Sequence, residues 1–482
     1  LPDVNLPSRS DELNAIGAKL FGQGEIEPAR LHFLAALSLE PNHAMALQNL
    51  GAALRSLGHY EASESVARRS VTASNGSAFC KSNLGVAQLG LKRYPEALIT
   101  LRQVAETMPD SGPSWHNLGL VQYMVGRLKE ALSSFDKSLK LIPSQKGVES
   151  DRALTLLALG RIQEGLRAYE VRWEILGKTR IWDLGLVEWK GEDLEGKSIL
   201  VHHEQGMGDS LMLSRFLVPL ATKGCDITLA VPLELLRLFK YSFGGVMRVV
   251  DLEDESLVTD FRFDYHVPML SLMRHLGVAK PGDCIYPPYL AVPPVEDLPR
   301  LPQRRARVGI CWASGNHGPA LMERRRLVPL PLFLPLTELP DVSVVSLQKG
   351  EGEGDVARYG MEGLVFDLTH RLDDFATTAA VISQLDVVIS VDSAVAHLAG
   401  ALGKPCIMLS PYTRCWRWWG LKDQGTGEPW YAHMPIFVQS PNGTWNAAVH
   451  TATREVKKML IARDGQEGIS GRHPLPHISS AA

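Results

Sequence analysis

The chain has 482 residues, 45% of them hydrophobic, so it is too long for one ordinary domain and apolar enough to fill several cores. A formal charge of −3 excludes the net basic face that nucleic-acid phosphates demand, and no run approaches the ~18 apolar residues of a membrane span. The six cysteines, Cys80, Cys225, Cys284, Cys311, Cys406 and Cys415, include no Cys-x-x-Cys pair, so neither a zinc site nor a disulfide framework is indicated and a reducing cytoplasm is expected.

The first third is a repeat. Asn49-Leu50-Gly51, Asn83-Leu84-Gly85 and Asn117-Leu118-Gly119 recur every 34 residues, and the same comb collects Gly17 and Ala153, then Ala29, Ala97, Ala131 and Gly165, with Pro41, Pro109 and Pro143 at the unit ends. A period of 34 means a tetratricopeptide array, here five helix pairs over roughly residues 11–177 within a domain 1–177. Small residues let paired helices approach, and prolines end each unit because they cannot continue a helix. Asn is a mediocre helix former, so its recurrence in mid-helix calls for another reason. A ladder of side-chain amides from Asn49, Asn83 and Asn117 along one groove, gripping an acceptor protein, supplies one.

Helical periodicity stops after Tyr169–Trp173, and residues 178–197 read as a packed connector. Short apolar runs then alternate with helical segments: strands are expected at Ser198–His202, Asp226–Val231, Met247–Asp251 and Asp264–Val267. After a proline-rich linker, Tyr286–Pro302, more follow at Arg307–Trp312, Val342–Leu347, Leu364–Asp367, Val387–Val391, Cys406–Ser410 and Ile436–Gln439. Two consecutive Rossmann-like α/β domains, 198–300 and 301–462, are expected, with ligands at the carboxyl ends of their strands. Trp445–Ile461 should be a closing helix, and the tail 463–482 disordered.

Two turns carry the chemistry. Glu204-Gln205-Gly206-Met207-Gly208-Asp209 joins the first strand to a helix expected at Ser210–Leu220; Leu211 occupies the third glycine's place of the dinucleotide fingerprint, so a dehydrogenase is not indicated. Asp209 reads either as the N-cap of that helix or as a general base, and both can hold. In the second turn, strand Val387–Val391 runs into Asp392, and Ser393 caps a helix beginning Ala394-Val395-Ala396-His397. The free amides at its positive end form a ready phosphate site. His397 is either a satisfied semi-buried side chain or a donor contact, and the phosphate site one turn away favours the second. Nearby loops add Ser314 and Asn316 after a strand, Arg326 in Arg324-Arg325-Arg326, and Lys349 after Val342–Leu347; such basic loops are either solvated surface or, at strand ends facing a cleft, complements to a nucleotide phosphate. The clusters Trp416-Arg417-Trp418-Trp419 and Trp430-Tyr431 are expected to fill the domain interface.

These residues, with Asp374–Ala380 and Pro429-Trp430-Tyr431, resemble bacterial proteins that join tetratricopeptide repeats to a GT-B glycosyltransferase similar to family 9 heptosyltransferases. The resemblance departs at Ser393, where threonine is commoner, and at Cys415, where an aspartate is. It implies Asp209 as catalytic base, with Gln205, Gly206, Met207 and Gly208 as the acceptor-side loop. It implies Asp392, Ser393 and Ala394 as the loop that holds the phosphates of a nucleotide-sugar donor, beside which Ser314, Asn316, Arg326, Lys349 and His397 are the donor contacts expected from the residues themselves, and a protein acceptor, flagellin in some members, on the repeats. The expected reaction is inverting transfer to serine or threonine with no metal or other cofactor. Two other readings stand beside it: transfer to lipopolysaccharide or a small acceptor, and a noncatalytic repeat adaptor with a vestigial α/β half.

Overall fold

The structure, a computed structural model, describes residues 7–177, 181, 184–255, 257, 262–283, 288–315, 326–418, 430–431 and 434–467. These fall into two compact units: the chain up to Gly177 together with residues 415–418, and the rest.

The first unit is helical. Helices α1 (Arg9–Gly22) and α2 (Ile26–Leu39), α3 (Ala44–Ser56) and α4 (Tyr60–Ala73), α5 (Ala78–Gly90) and α6 (Tyr94–Thr107), α7 (Gly112–Met124) and α8 (Leu128–Leu141), and α9 (Lys146–Ala158) and α10 (Ile162–Tyr169) pack as successive pairs. The glycines of the comb set the approach. A Cβ on Gly17, Gly85 or Gly119 would lie 2.6 Å from the side chain of Phe33, Leu101 or Phe135, sixteen residues on in each case. At Gly51 the sixteenth residue is Ala67, and the nearest atom to such a Cβ stands at 3.7 Å. A large residue therefore fills the space that glycine leaves. The turn inside each pair needs a left-handed residue, supplied by Gly24, Gly58, Gly126 and Gly160 and, in the third pair, by Lys92 at φ 60°. The last pair has no following repeat, and a short helix, α11 (Arg172–Leu176), and the turn Trp416–Trp418 pack on α9 instead. That corrects the expectation that Trp416 and Trp418 fill the interface of the α/β domains; Trp419 lies outside the described residues.

The second unit holds two parallel sheets. In the first, β1 (Val187–Glu188), β2 (Ser198–His202), β3 (Asp226–Val231), β4 (Arg248–Asp251) and β5 (Tyr265–Pro268) stand in the order β1-β5-β2-β3-β4. Residues 187–188, expected in a connector, thus form an edge strand beside β5. In the second sheet, β6 (Ala306–Cys311), β9 (Val342–Ser346), β10 (Val365–Asp367), β11 (Val387–Val391), β12 (Cys406–Ser410) and β13 (Ile436–Val438) stand in the order β10-β9-β6-β11-β12-β13. A small antiparallel pair, β7 (Ala313–Ser314) with β8 (Arg326–Leu327), follows β6.

The order reverses between β2 and β5 in one sheet and between β6 and β11 in the other, and open α/β sheets generally take their ligands at the carboxyl ends of strands at such points. The elements there are α12 (Met207–Leu213) after β2, α13 (Leu233–Phe243) after β3, α14 (Met269–His275) after β5, α15 (Phe375–Ser383) before β11 and α16 (Ala394–Ala401) after it. The closing helix, Asn446–Glu467, runs past the start expected for a disordered tail at residue 463; residues 468–482 lie outside the described ones.

Candidate active site

The loop after β11 is built to leave amides free. Ser393 has extended backbone, φ −149° and ψ 169°, and its hydroxyl accepts from the Ala396 N–H at 3.4 Å while sharing a hydrogen bond with Ser390 Oγ at 2.8 Å. Its side chain is therefore occupied in capping. Ala394 and Val395 begin the helix, and among the described residues their N–H groups have no hydrogen-bond partner. Such amides at a positive helix end attract an anion.

Arg326 ties this loop to its neighbour. Its guanidinium donates to the Asp392 carbonyl at 2.9 Å and to the Gly315 carbonyl, with Nη1 3.8 Å from the Asp392 carboxylate. Strand pairing sets Arg326 opposite Ser314, so Ser314, Arg326, Asp392, Ser393 and Ala394 share one crevice. Gln348 braces it from beneath: fully buried, it accepts from the N–H groups of Trp312 and Ala313, each at 2.9 Å, and donates to the Ala313 and Glu351 carbonyls. Lys349, beside it, donates to the Thr369 carbonyl at 3.1 Å. Asn316 lies outside the described residues.

The first turn faces this crevice. Gly206 is the N-cap of α12, so Asp209 is the third helical residue rather than the cap expected from sequence, and its carboxylate reaches back to accept from the Gly206 N–H at 3.0 Å. Gln205, exposed, adopts φ 63°, a left-handed conformation that holds the turn tight. Gly208 is close to the second domain: a Cβ there would stand 3.0 Å from His397 Cδ2, 3.3 Å from Ala394 Cα and 3.4 Å from Ala394 N. The sequence suggested that these glycines admit a ligand; at Gly208 the space is needed by a helix of the other lobe. Met207 begins α12.

Several neighbours escaped sequence reasoning. His203 contacts Ser210 Oγ through Nδ1 at 2.7 Å, and burial lowers its pKa while Asp209 pulls it the other way. Arg215, fully buried, donates to the Met212 carbonyl at 2.9 Å, the Trp430 carbonyl at 2.8 Å and the Tyr289 hydroxyl at 3.1 Å. Trp430 and Tyr431 thus meet the first lobe, as expected of that aromatic pair. His397 is buried, with Nδ1 2.9 Å from the Tyr431 hydroxyl. A second bond between lobes is the fork from Arg237 on α13 to Asp374, two contacts of 2.8 Å, with Thr377 Oγ1 at 2.7 Å.

The asparagines lie on the first unit, half-buried. Asn49 donates to Asn14 Oδ1 at 2.9 Å, Asn83 to the Gln48 carbonyl at 3.2 Å and Asn117 to Ser82 Oγ at 3.3 Å. Each donates to the preceding repeat, so the ladder stitches neighbours together with one hydrogen of each amide.

The glycosyltransferase family 9 (heptosyltransferase) profile matches residues 356–432, the stretch that carries Asp374, Asp392–His397 and Tyr431. The chain carries a family 9 glycosyltransferase domain. A tetratricopeptide-repeat profile matches residues 32–65, and the chain joins such repeats to this glycosyltransferase. Protein FlbA of Caulobacter vibrioides is 30% identical over 305 residues, covering 56% of this chain and 48% of FlbA, so the match spans about half of FlbA's length. Among solved structures, a thermophilic TPR protein of Thermus thermophilus is 22% identical, covers 36% of this chain and 96% of its own, and has a TM-score of 0.33. The corresponding values for Pseudomonas aeruginosa PilF are 22%, 36%, 80% and 0.32. Among the described residues no helix is long and apolar enough to cross a membrane, and no group of three or more His, Cys, Asp or Glu is placed to hold a metal ion.

Proposed function

We propose that this glycosyltransferase moves a sugar from a nucleotide-sugar donor to a serine or threonine of an acceptor protein held by the repeats. The observation that carries the reading is the approach of Gly208, next to Asp209, to within about van der Waals distance of Ala394, where a Cβ would meet Ala394 N at 3.4 Å. A carboxylate loop and an anion-binding helix start from different lobes thereby adjoin one crevice. The donor's phosphates sit on the Ala394 and Val395 amides, in a loop that Arg326 and Gln348 hold in shape.

Asp209 takes the acceptor hydroxyl's proton as its oxygen bonds to the anomeric carbon; the carbon–oxygen bond to phosphate breaks, and the electron pair leaves on the nucleoside diphosphate. Helix amides stabilise that departing charge in the role a metal plays elsewhere. One carboxylate and one displacement mean inversion. Flagellin is the acceptor that the resemblance to repeat-bearing family members suggests, and catalysis is then cytoplasmic.

A nucleoside diphosphate panel (UDP, GDP, CDP and dTDP) tests the phosphate site by thermal shift. At least one should raise the melting temperature, and Asp392→Ala or Ala394→Trp should abolish the rise. Equal shifts in both variants would place the phosphates elsewhere.

A further inference from the structure

The repeat makes each helix position comparable with its counterparts 34 residues away, and one position breaks the pattern. Phe21, Leu89, Tyr123 and Leu157 hold it in the first, third, fourth and fifth pairs, and the last three are at most 2% exposed. In the second pair it is Arg55, half-buried. Arg30, Arg68, Arg93 and Arg152 of the same unit each reach a carboxylate. Among the described residues the Arg55 guanidinium makes no hydrogen bond or ion pair. The carbonyl end of α3, in whose last turn it stands, offers only a partial negative charge. Burial, the largest influence, lowers its pKa while Tyr60 opposes the change, as befits a cation withdrawn from water without a counter-ion. Leucine there would spare the fold that cost, so the charge answers to something outside the fold.

Arg55 ends a stripe. Met45, Gln48, Ala52 and Arg55 stand at i, i+3, i+7 and i+10 of α3, one face of the helix, opposite the buried Ala46, Leu47, Leu50 and Ala53. At the other end of the stripe Met45 is 54% exposed, and Phe79, its counterpart one repeat on, is 63% exposed, so two apolar side chains lie side by side in water. The ladder amides of Asn49 and Asn83 follow them by one helical turn. Ten residues of helix separate Met45 from Arg55, about 15 Å, a span that an extended chain covers in about five residues. We infer that Arg55 anchors a carboxylate side chain of an extended acceptor segment, which lays an apolar side chain about five residues away on Met45 and Phe79. A guanidinium takes both oxygens of a carboxylate in a fork, which balances the charge that the repeat leaves unpaired. One cation beside two apolar side chains suits a polypeptide, whereas a nucleic-acid strand would demand a row of cations that a chain of net charge −3 does not favour. The inference names the chemistry of the acceptor and rests on the reading of the repeats as its holder.

The test selects short peptides from a random display library on the full-length protein. Peptides won by the wild type should be enriched in Asp or Glu about five residues from an apolar residue; Arg55→Leu should lose the acid preference and Arg55→Lys should keep most of it. No enriched peptide, no acid preference, or a preference shared by Arg55→Leu would overturn the inference. For one selected peptide, labelled with a fluorophore, amidation of its acidic side chain or Arg55→Leu in the protein should each raise the Kd about 5- to 10-fold at low salt, and the two together little more. Additive losses would mean that the two groups do not meet. Thermal melting adds a second arm: Arg55→Leu puts into the second pair what Leu89 and Leu157 put into the third and fifth, so the midpoint should rise, and a fall would make Arg55 a structural residue and overturn the inference. The selected peptide should also inhibit sugar transfer to the acceptor protein. Arg55-dependent binding without inhibition would sink the reading of the repeats as acceptor holder and leave Arg55 the anchor of another acidic segment; inhibition by a selected peptide without acid would keep that reading and overturn the inference.

Discussion

Replacing Asn49, Asn83 and Asn117 by alanine sets two opposed effects against each other. The structure assigns each amide one hydrogen bond to the preceding repeat, at 2.9, 3.2 and 3.3 Å. At about 1 kcal/mol net apiece, losing all three costs about 3 kcal/mol. Alanine returns about 0.6 kcal/mol of helix propensity per site, or about 2 kcal/mol. The triple variant should therefore be only about 1 kcal/mol less stable, a melting shift of about 2–4 °C for a unit of this size. Calorimetry of the full chain, with far-ultraviolet circular dichroism to follow helix content, measures it. If the ladder also grips an acceptor with its remaining hydrogens and carbonyls, capture of the acceptor protein should fall while nucleotide binding stays constant. A loss beyond about 4 kcal/mol would mean that the stitching of repeats dominates and that propensity arithmetic fails here. Full acceptor modification at limiting acceptor would make the ladder structural alone.

Lys92 holds the left-handed turn position that glycine fills in the other repeats, so Lys92→Gly should raise stability by up to about 1 kcal/mol, seen as a higher urea midpoint. Gly208→Val should strain the contact with Ala394 and His397 by about 1–3 kcal/mol and weaken nucleotide binding; a variant with normal binding would show that the two loops need not adjoin. For Asp374, burial raises the carboxyl's pKa, but hydrogen bonds from Arg237 and Thr377 outweigh it and the net value lies below the ordinary range. Because the folded value is depressed, this stabilisation is present above the ordinary carboxylate value and fades as pH falls through the folded value, so Arg237→Ala should cost about 0.5–1 kcal/mol at pH 7 and less at the lowest pH at which the fold survives. An equal loss at both values would remove the ion pair from the account.

The repeats were legible because one spacing governs both packing and turns: the glycines that admit Phe33, Leu101 and Phe135 recur with the same period as the motif. The longer strands were legible as apolar runs, whereas Val187–Glu188 and the Ala313–Ser314 pair are two residues long and owe their existence to partners. Residue type and position in a turn singled out Asp209 and Ala394 as candidates, but the helix begins at Met207 because Gly206 takes the extended cap conformation, φ −98° and ψ 162°, which a residue string does not disclose. Arg215 could not be singled out, since its carbonyl partner Trp430 and hydroxyl partner Tyr289 lie 215 and 74 residues away. The tryptophans at 416 and 418 carried an aromatic signal without an address, and α9 gives them one.

The most direct test of the account is sugar transfer by Asp209→Asn, measured with the nucleotide sugar whose nucleoside diphosphate gives the thermal shift and with acceptor protein purified from a strain lacking this gene. Asparagine keeps the shape and can still accept from the Gly206 N–H through its side-chain oxygen, so the turn, the fold and donor binding should persist. Transfer should fall by about 10²-fold or more, because no group then takes the hydroxyl proton. Transfer within a few fold of the wild type would contradict the account and leave Asp209 a helix-start residue that braces its own turn.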